Sequence, residues 1–178
     1  MTFKAKILDS SDIDRILLRI AHQICEKNNG VEDLCLIGIR TRGVPLAKRL
    51  AKCIGKIEGA EPLVGALDIS QHRDDIEGKD KTPIVADTDV PFSIKGKTVV
   101  LVDDVIYTCR TARAALDAVM ALGRPSRIQL SVLIDRGHAE LPIRPNFVGK
   151  NIPTSRDEII TLHLSECDEE DSVCIYSK

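Results

Sequence analysis

The chain has 178 residues, with 25 Lys and Arg against 27 Asp and Glu, 43% hydrophobic residues and a formal net charge of -2. A chain of this length buries about 70% of the surface its unfolded form exposes, and its mixed composition excludes a disordered tail protein. Its apolar runs are too short to cross a membrane, and its near-neutral charge leaves no global field for nucleic acid, so an RNA site has to be a local patch.

Residues 1–8 carry Lys4 and Lys6 without an apolar segment of signal-peptide length, so a cytoplasmic protein is expected. Ile13, Ile16, Leu17, Ile20, Ala21 and Ile24 recur on one helical face. They predict a helix over 11–27, capped by Ser10 or Ser11 with Asp12 and Asp14 in its first turn. Its other side carries Arg15, Arg19 and His22 as a narrow basic stripe. Residues 34–39 read as a buried strand, Arg40 to Gly43 as a turn, and Pro45 as the first residue of a helix reaching Ile54. Residues 63–69 form a further strand, and 70–97 a long mobile loop or flap, polar and rich in Asp, Lys, Gly and Pro.

The run at 98–102 suits a strand covered on both faces, and 111–122 has helical spacing ended by Gly123 and Pro125. Residues 128–134 are the next strand, with 159–164 and 173–176 as closing strands. Strand and helix alternate, which predicts a single α/β domain over 1–178: a mostly parallel central sheet with helices on both faces and ligand-bearing loops at the strand C-termini. The six cysteines include no C-x-x-C pair, which argues against structural zinc or a disulfide framework. Aromatic residues at 3% and no Trp argue against stacking platforms for single strands.

The most informative segment is VVLVDDVIYTCRTA, residues 99–112. A buried strand delivers Asp103 and Asp104 to its end, and Thr108, Arg110 and Thr111 follow at a helix N-terminus. Free N–H groups, hydroxyls and a helix dipole suit a phosphate, whereas paired carboxylates suit sugar hydroxyls or a hydrated Mg²⁺. A ribose 5′-phosphate fits both halves. The alternative, an acidic strand end in another doubly wound fold such as a phosphorylated receiver domain, lacks the Thr-rich turn.

This segment resembles the phosphoribosyl pyrophosphate fingerprint of type I phosphoribosyltransferases. RIAHQ, GIRTRGVPLAKRLA, LDIS with HRDD, VLVDDVIYT, ALGRPSRIQLSVLIDRGH and ELPIRPNFVGKNIPTS extend the resemblance over nearly the whole chain. Together they are similar to the family of bacterial pyrimidine operon regulatory proteins. That family is bifunctional: it binds mRNA of pyrimidine genes in response to uridine nucleotides and has uracil phosphoribosyltransferase activity. The resemblance implies a type I phosphoribosyltransferase fold with a mobile flap. Asp103 and Asp104 would bind ribose hydroxyls and meet Mg²⁺ indirectly, and Thr108, Cys109, Arg110 and Thr111 would cradle the 5′-phosphate.

By the same resemblance Arg40, Thr41, Arg42 and Gly43 match the pyrophosphate loop, with Asp103, Asp104 and Arg42 as the catalytic set. Two guanidinium groups at a strand–helix turn can hold phosphate oxygens. Arg73 either closes over the pyrophosphate or is a solvated loop residue. Ile134, Asp135, Arg136 and Gly137 match the uracil segment, where backbone groups read the base, although Asp135 also suits a strand-end cap. Tyr107 stands where purine relatives carry Asp, and no side-chain base is evident. Implied partners are uracil, phosphoribosyl pyrophosphate, UMP, the mRNA leader of pyrimidine genes and further copies of the chain, as dimers or larger assemblies.

The family's RNA surface corresponds to Arg15, Arg19, His22, His138, Arg144 and Lys150, and the basic residues of 136–156 support a patch, with a solvated face as the alternative. Three residues depart from the family pattern: Leu18 for a hydroxyl, Ala139 for a basic residue, and Cys109 for a glycine. Cys109 has two readings, a reactive thiol activated by a helix N-terminus or a buried inert one. Three functions therefore compete: a regulator that keeps its enzymatic activity, a uracil salvage enzyme alone, and a regulator with impaired catalysis.

Overall fold

The computed structural model describes residues 1–70 and 88–178. The elements in chain order are β1 (Thr2–Asp9), α1 (Ser10–Asn28), β2 (Leu34–Ile39), α2 (Gly43–Glu58), β3 (Leu63–Leu67) and β4 (Thr98–Ile106). Then follow α3 (Arg110–Leu122), β5 (Arg127–Asp135), β6 (Phe147–Asn151), β7 (Glu158–His163) and β8 (Ser172–Ser177). The central sheet has five strands in the order β3-β2-β4-β5-β6, all paired in parallel.

Side-chain alternation distributes this sheet between two apolar layers. Leu36, Val100 and Val102 face α1 and α2 in one cluster. Ile37, Val99 and Leu101 face α3 in the other. Helices therefore cover both faces, as the strand–helix alternation predicts. The connection after β2 runs toward β3 and the connection after β4 runs toward β5, so the strand order reverses between β2 and β4. A parallel sheet opens its ligand crevice at that point.

Two glycines let α2 settle against the sheet. A Cβ on Gly43 would lie 2.3 Å from the Val102 carbonyl oxygen, and one on Gly38 would lie 2.5 Å from that of Gly43. The α2 helix begins two residues before Pro45, so the proline occupies a later position of the first turn than expected, where its missing N–H still costs nothing. The cap of α1 also differs from the expected Ser10 or Ser11. The Asp9 carboxylate accepts from the Asp12 N–H at 2.9 Å, and the Asp12 carboxylate accepts from the Asp9 N–H at 3.2 Å, a reciprocal capping box.

The expected closing strands, β7 and β8, do not extend the parallel sheet. They join β1 in a separate antiparallel sheet of order β1-β8-β7. Its inner residues Leu8, Ile160, Leu162 and Val173 pack into the layer of α1 and α2. The loop expected over 70–97 is anchored toward its end: Ala66 and Asp89 exchange backbone hydrogen bonds at 2.8 Å, and Ile94 is buried. Residues 71–87, which include Arg73, lie outside the described residues. Among the described residues no helix is long and apolar enough to cross a membrane.

Candidate nucleotide site and basic surface

Four segments named from the sequence converge at the C-terminal ends of β2, β4 and β5. Asp103 and Asp104 lie on the last part of β4, half-buried. Each is braced by the following backbone: Asp103 accepts from the Asp104 N–H at 2.9 Å, and Asp104 from the Val105 N–H at 2.7 Å. Gly43 lies directly beside Asp103, since its missing Cβ would come 3.4 Å from the Asp103 Cα. The turn Arg40–Arg42 is thereby held next to the acidic pair, and its Arg40–Thr41 peptide is cis. Arg40 and Thr41 are exposed, while Arg42 is half-buried with Nη2 3.1 Å from Asp168.

A pocket beyond the acidic pair is lined by Asp103 and by Thr108, Cys109, Arg110 and Thr111 at the start of α3. Cys109 at the N-cap position makes no side-chain capping hydrogen bond, so the first N–H groups of α3 keep their capacity to bind an anion. The Arg110 Nε donates to Glu140 at 3.0 Å, and the Glu140 N–H donates to the Thr108 carbonyl at 3.2 Å. The 137–141 loop is thus latched to the phosphate turn by Glu140, a residue that nothing local in the sequence marks.

Cys109 has φ of 70°, the left-handed region in which an L side chain costs about 1–2 kcal/mol. Its thiol is buried and donates to the Ile143 carbonyl at 3.5 Å. Burial, and then the Asp135 carboxylate, push the thiol above its ordinary value. Of the two readings of Cys109 the structure favours the buried, inert one: the sulfur turns into the apolar layer, and desolvation favours its neutral form. A short alkylation pulse on the native protein should label exposed Cys167 well before buried Cys109, Cys25, Cys35 and Cys174. Peptide mapping reads that order, and early labelling of Cys109 would restore the reactive reading.

The segment matched to uracil takes a definite form. Ile134 is fully buried, and the Asp135 carboxylate accepts from the Gly137 N–H at 2.9 Å, serving as a strand-end turn cap. Arg136 is buried at 6% exposure. Its N–H donates to the Ile106 carbonyl, and its guanidinium donates to Thr154 Oγ1 and to the Ser155 and Glu158 carbonyls. The same group lies 4.0 Å above the centre of the Tyr107 ring. Tyr107 also meets His138 edge-on at 5.6 Å between ring centres.

The basic residues fall into two groups. Arg15, Arg19 and Lys150 line one depression between α1 and β6, together with Asp12. Arg15 pairs with Asp12 at 2.6 Å, and Arg19 donates to the Val148 and Gly149 carbonyls, which fixes it to β6. His22 is exposed one turn further along α1. His138 and Arg144 line a second depression with Tyr107, Asp135 and Gly137, and His138 Nε2 donates to the Thr154 carbonyl at 2.6 Å.

A parallel sheet with an acidic strand end, an uncapped phosphate turn and an arginine turn at its switch point fits one class of protein. The chain belongs to the phosphoribosyl transferase domain family, whose model matches residues 5–164. Solved structures share the fold: the Trypanosoma cruzi hypoxanthine phosphoribosyltransferase superposes with a TM-score of 0.75 at 17% identity, covering 98% of this chain and 97% of that one. A Bacillus anthracis hypoxanthine-guanine phosphoribosyltransferase gives 0.72 at 20% identity, covering 98% of each. Within the family the chain belongs with the bifunctional PyrR proteins. It is 56% identical to the one from Thermoanaerobacter sp. strain X514 over the full length of both chains. It is 54% identical to that of Thermus aquaticus, covering 100% of this chain and 98% of the relative.

Proposed function

We infer that the protein converts uracil and phosphoribosyl pyrophosphate to UMP and pyrophosphate, and that it binds the mRNA leader of pyrimidine genes in response to uridine nucleotides. The convergence of the acidic pair, the uncapped start of α3 and the Arg40–Gly43 turn at one switch point carries this reading. It does so in a chain similar over its whole length to bifunctional PyrR proteins.

In the transfer, uracil nitrogen displaces pyrophosphate from the anomeric carbon, and charge develops on the ribose ring and on the leaving group. Asp103 and Asp104 face the ribose hydroxyls and the positive ring, the start of α3 holds the 5′-phosphate, and Arg40 and Arg42 take the departing oxygens. Positioning and preorganised charge supply the rate. Among the described residues no group of three or more acidic, His or Cys side chains could hold a metal. Asp103 and Asp104 are the side chains that would hold a hydrated Mg²⁺ accompanying the pyrophosphate. When bound, the ion neutralises leaving-group charge. Tyr107 packs on Arg136 and offers no carboxylate base.

For RNA, Arg15, Arg19, His22 and Lys150 on one side, with His138 and Arg144 on the other, supply phosphate contacts, and the chain acts as a dimer or larger homo-oligomer. Binding of a pyrimidine-gene leader RNA with and without UMP tests the regulatory half. Affinity should fall with salt, and Lys150→Ala should make the log–log slope shallower by about one unit while turnover stays unchanged. Turnover without UMP-enhanced, sequence-selective RNA binding leaves a salvage enzyme alone. RNA binding without turnover leaves a regulator impaired at Cys109.

A further inference from the structure

We propose that Asp168, in the turn between β7 and β8, is a positioning residue that presets the Arg42 guanidinium for the departing pyrophosphate. The proposal rests on the phosphoribosyl transfer reading above and deepens it by one residue that no motif of the sequence marks. Arg42 stands at the N-cap of α2, beside the acidic pair, on a long side chain with many rotamers. Its Nη2 donates to both Asp168 oxygens, at 3.1 and 3.3 Å. Asp168 is itself fixed: its Oδ2 accepts from the Leu164 N–H at 2.9 Å, and its own N–H donates back to the Leu164 carbonyl at 2.6 Å. His163 Nδ1 lies 3.7 Å from the other carboxylate oxygen.

A second arginine on the same helix shows that Arg42 does more than pin the turn. Arg49, two helical turns further on, also reaches the 165–171 segment. All three of its nitrogens are engaged: Nε and Nη2 with Glu166, Nη1 and Nη2 with Asp171, and Nη2 with Ser165 Oγ. Arg49 therefore suffices as an anchor. Among the described residues Arg42 is held through Nη2 alone, and its Nε is buried without a hydrogen-bond partner. A buried donor left unmade is costly, and the Nη1 donors, which no carboxylate takes among the described residues, are the ones left for an anionic oxygen of the leaving group. A fork fixed at one nitrogen has less freedom to lose when phosphate oxygens arrive, and that lowers the cost of binding.

The test is Asp168→Asn in the full chain, which keeps both the shape and the acceptor for the Leu164 N–H. The inhibition constant of inorganic pyrophosphate and the KM for phosphoribosyl pyrophosphate should both rise about five- to tenfold. The Kd for UMP, the KM for uracil and the thermal transition should stay close to wild type. Glu166→Gln, which removes a strut of the same turn without touching Asp168, should leave pyrophosphate inhibition within about twofold. Equal losses in the two variants, or a parallel loss of UMP binding, would assign the effect to loop order and overturn the proposal. Tighter pyrophosphate binding in Asp168→Asn would overturn it as well, by showing that Asp168 withholds Arg42. If Arg42→Ala weakens pyrophosphate but Asp168→Asn does not, the positioning role alone fails. If Arg42→Ala has no effect either, the assignment of the Arg40–Gly43 turn fails with it.

Discussion

Replacing Asp104 by Asn should lower uracil-dependent pyrophosphate release by about ten- to a hundredfold without lowering the thermal transition. Asn keeps an oxygen for the Val105 N–H that braces this side chain, so the strand end keeps its shape. What it loses is charge: hydrogen bonds from sugar hydroxyls to a carboxylate contribute about 1.5–3 kcal/mol, and about 1.4 kcal/mol is a factor of ten in rate. The positive ring of the transition state also loses its counter-charge, so kcat should fall more than affinity for uracil. Steady-state release of pyrophosphate is the measurement. Wild-type turnover in a folded Asp104→Asn protein would remove the acidic pair from the ribose site.

Arg136→Met should be strongly destabilising although it lies outside the apolar layers. The guanidinium is 6% exposed and donates at 2.9 Å to Thr154 Oγ1, at 3.0 Å to the Ser155 carbonyl and at 2.6 Å to the Glu158 carbonyl, tying the end of β5 to the segment that enters β7. Methionine keeps the unbranched apolar stem but not the guanidinium, and it leaves all three acceptors without their donor. The expected loss is about 3 kcal/mol or more, which for a chain of this size lowers Tm by roughly 6–12 °C. Differential scanning calorimetry of the two proteins decides it. A Tm within about 2 °C of wild type would mean that water replaces those bonds.

Which features were legible in the sequence follows from where their partners lie. β2 and the first half of β4 are covered on both faces, so each writes a continuous apolar run, and the run at 34–39 has the bounds of the strand itself. β1 has a single fully buried residue, Leu8, among exposed lysines, and β6 is a five-residue edge strand containing Gly149 and Lys150. Neither leaves a hydrophobic pattern, and neither was anticipated. In 88–97 the alternation of Val90, Phe92 and Ile94 was hidden by the polar stretch before it.

The site shows the same division. The acidic pair and the phosphate turn lie within nine residues of one another, 103–111, and could be read as a motif. Arg42–Asp168 spans 126 positions and Arg110–Glu140 spans 30. No local spacing encodes such pairs. Arg136 counts in sequence with the basic residues of 136–156 as part of a patch, whereas its guanidinium is buried and bonded inward. Cys109 has the left-handed backbone that its place at a family glycine allows, but its chemistry depends on which way the sulfur points, and composition does not say.

The glycines at 38 and 43 set a dimension of this site that no charged residue controls. Only hydrogen atoms fit between the start of α2, the end of β2 and the Val102 carbonyl, so the arginine turn and the acidic strand end behave as one machined part with no adjustable gap. Side-chain substitution can change what either half grips, but it cannot change the span between them. Any adjustment between the two halves is therefore left to the arginine side chains, because the backbone span is set by these two glycines. Changing that span would require rebuilding the β2–α2 junction, since a Cβ at either glycine would collide with backbone atoms.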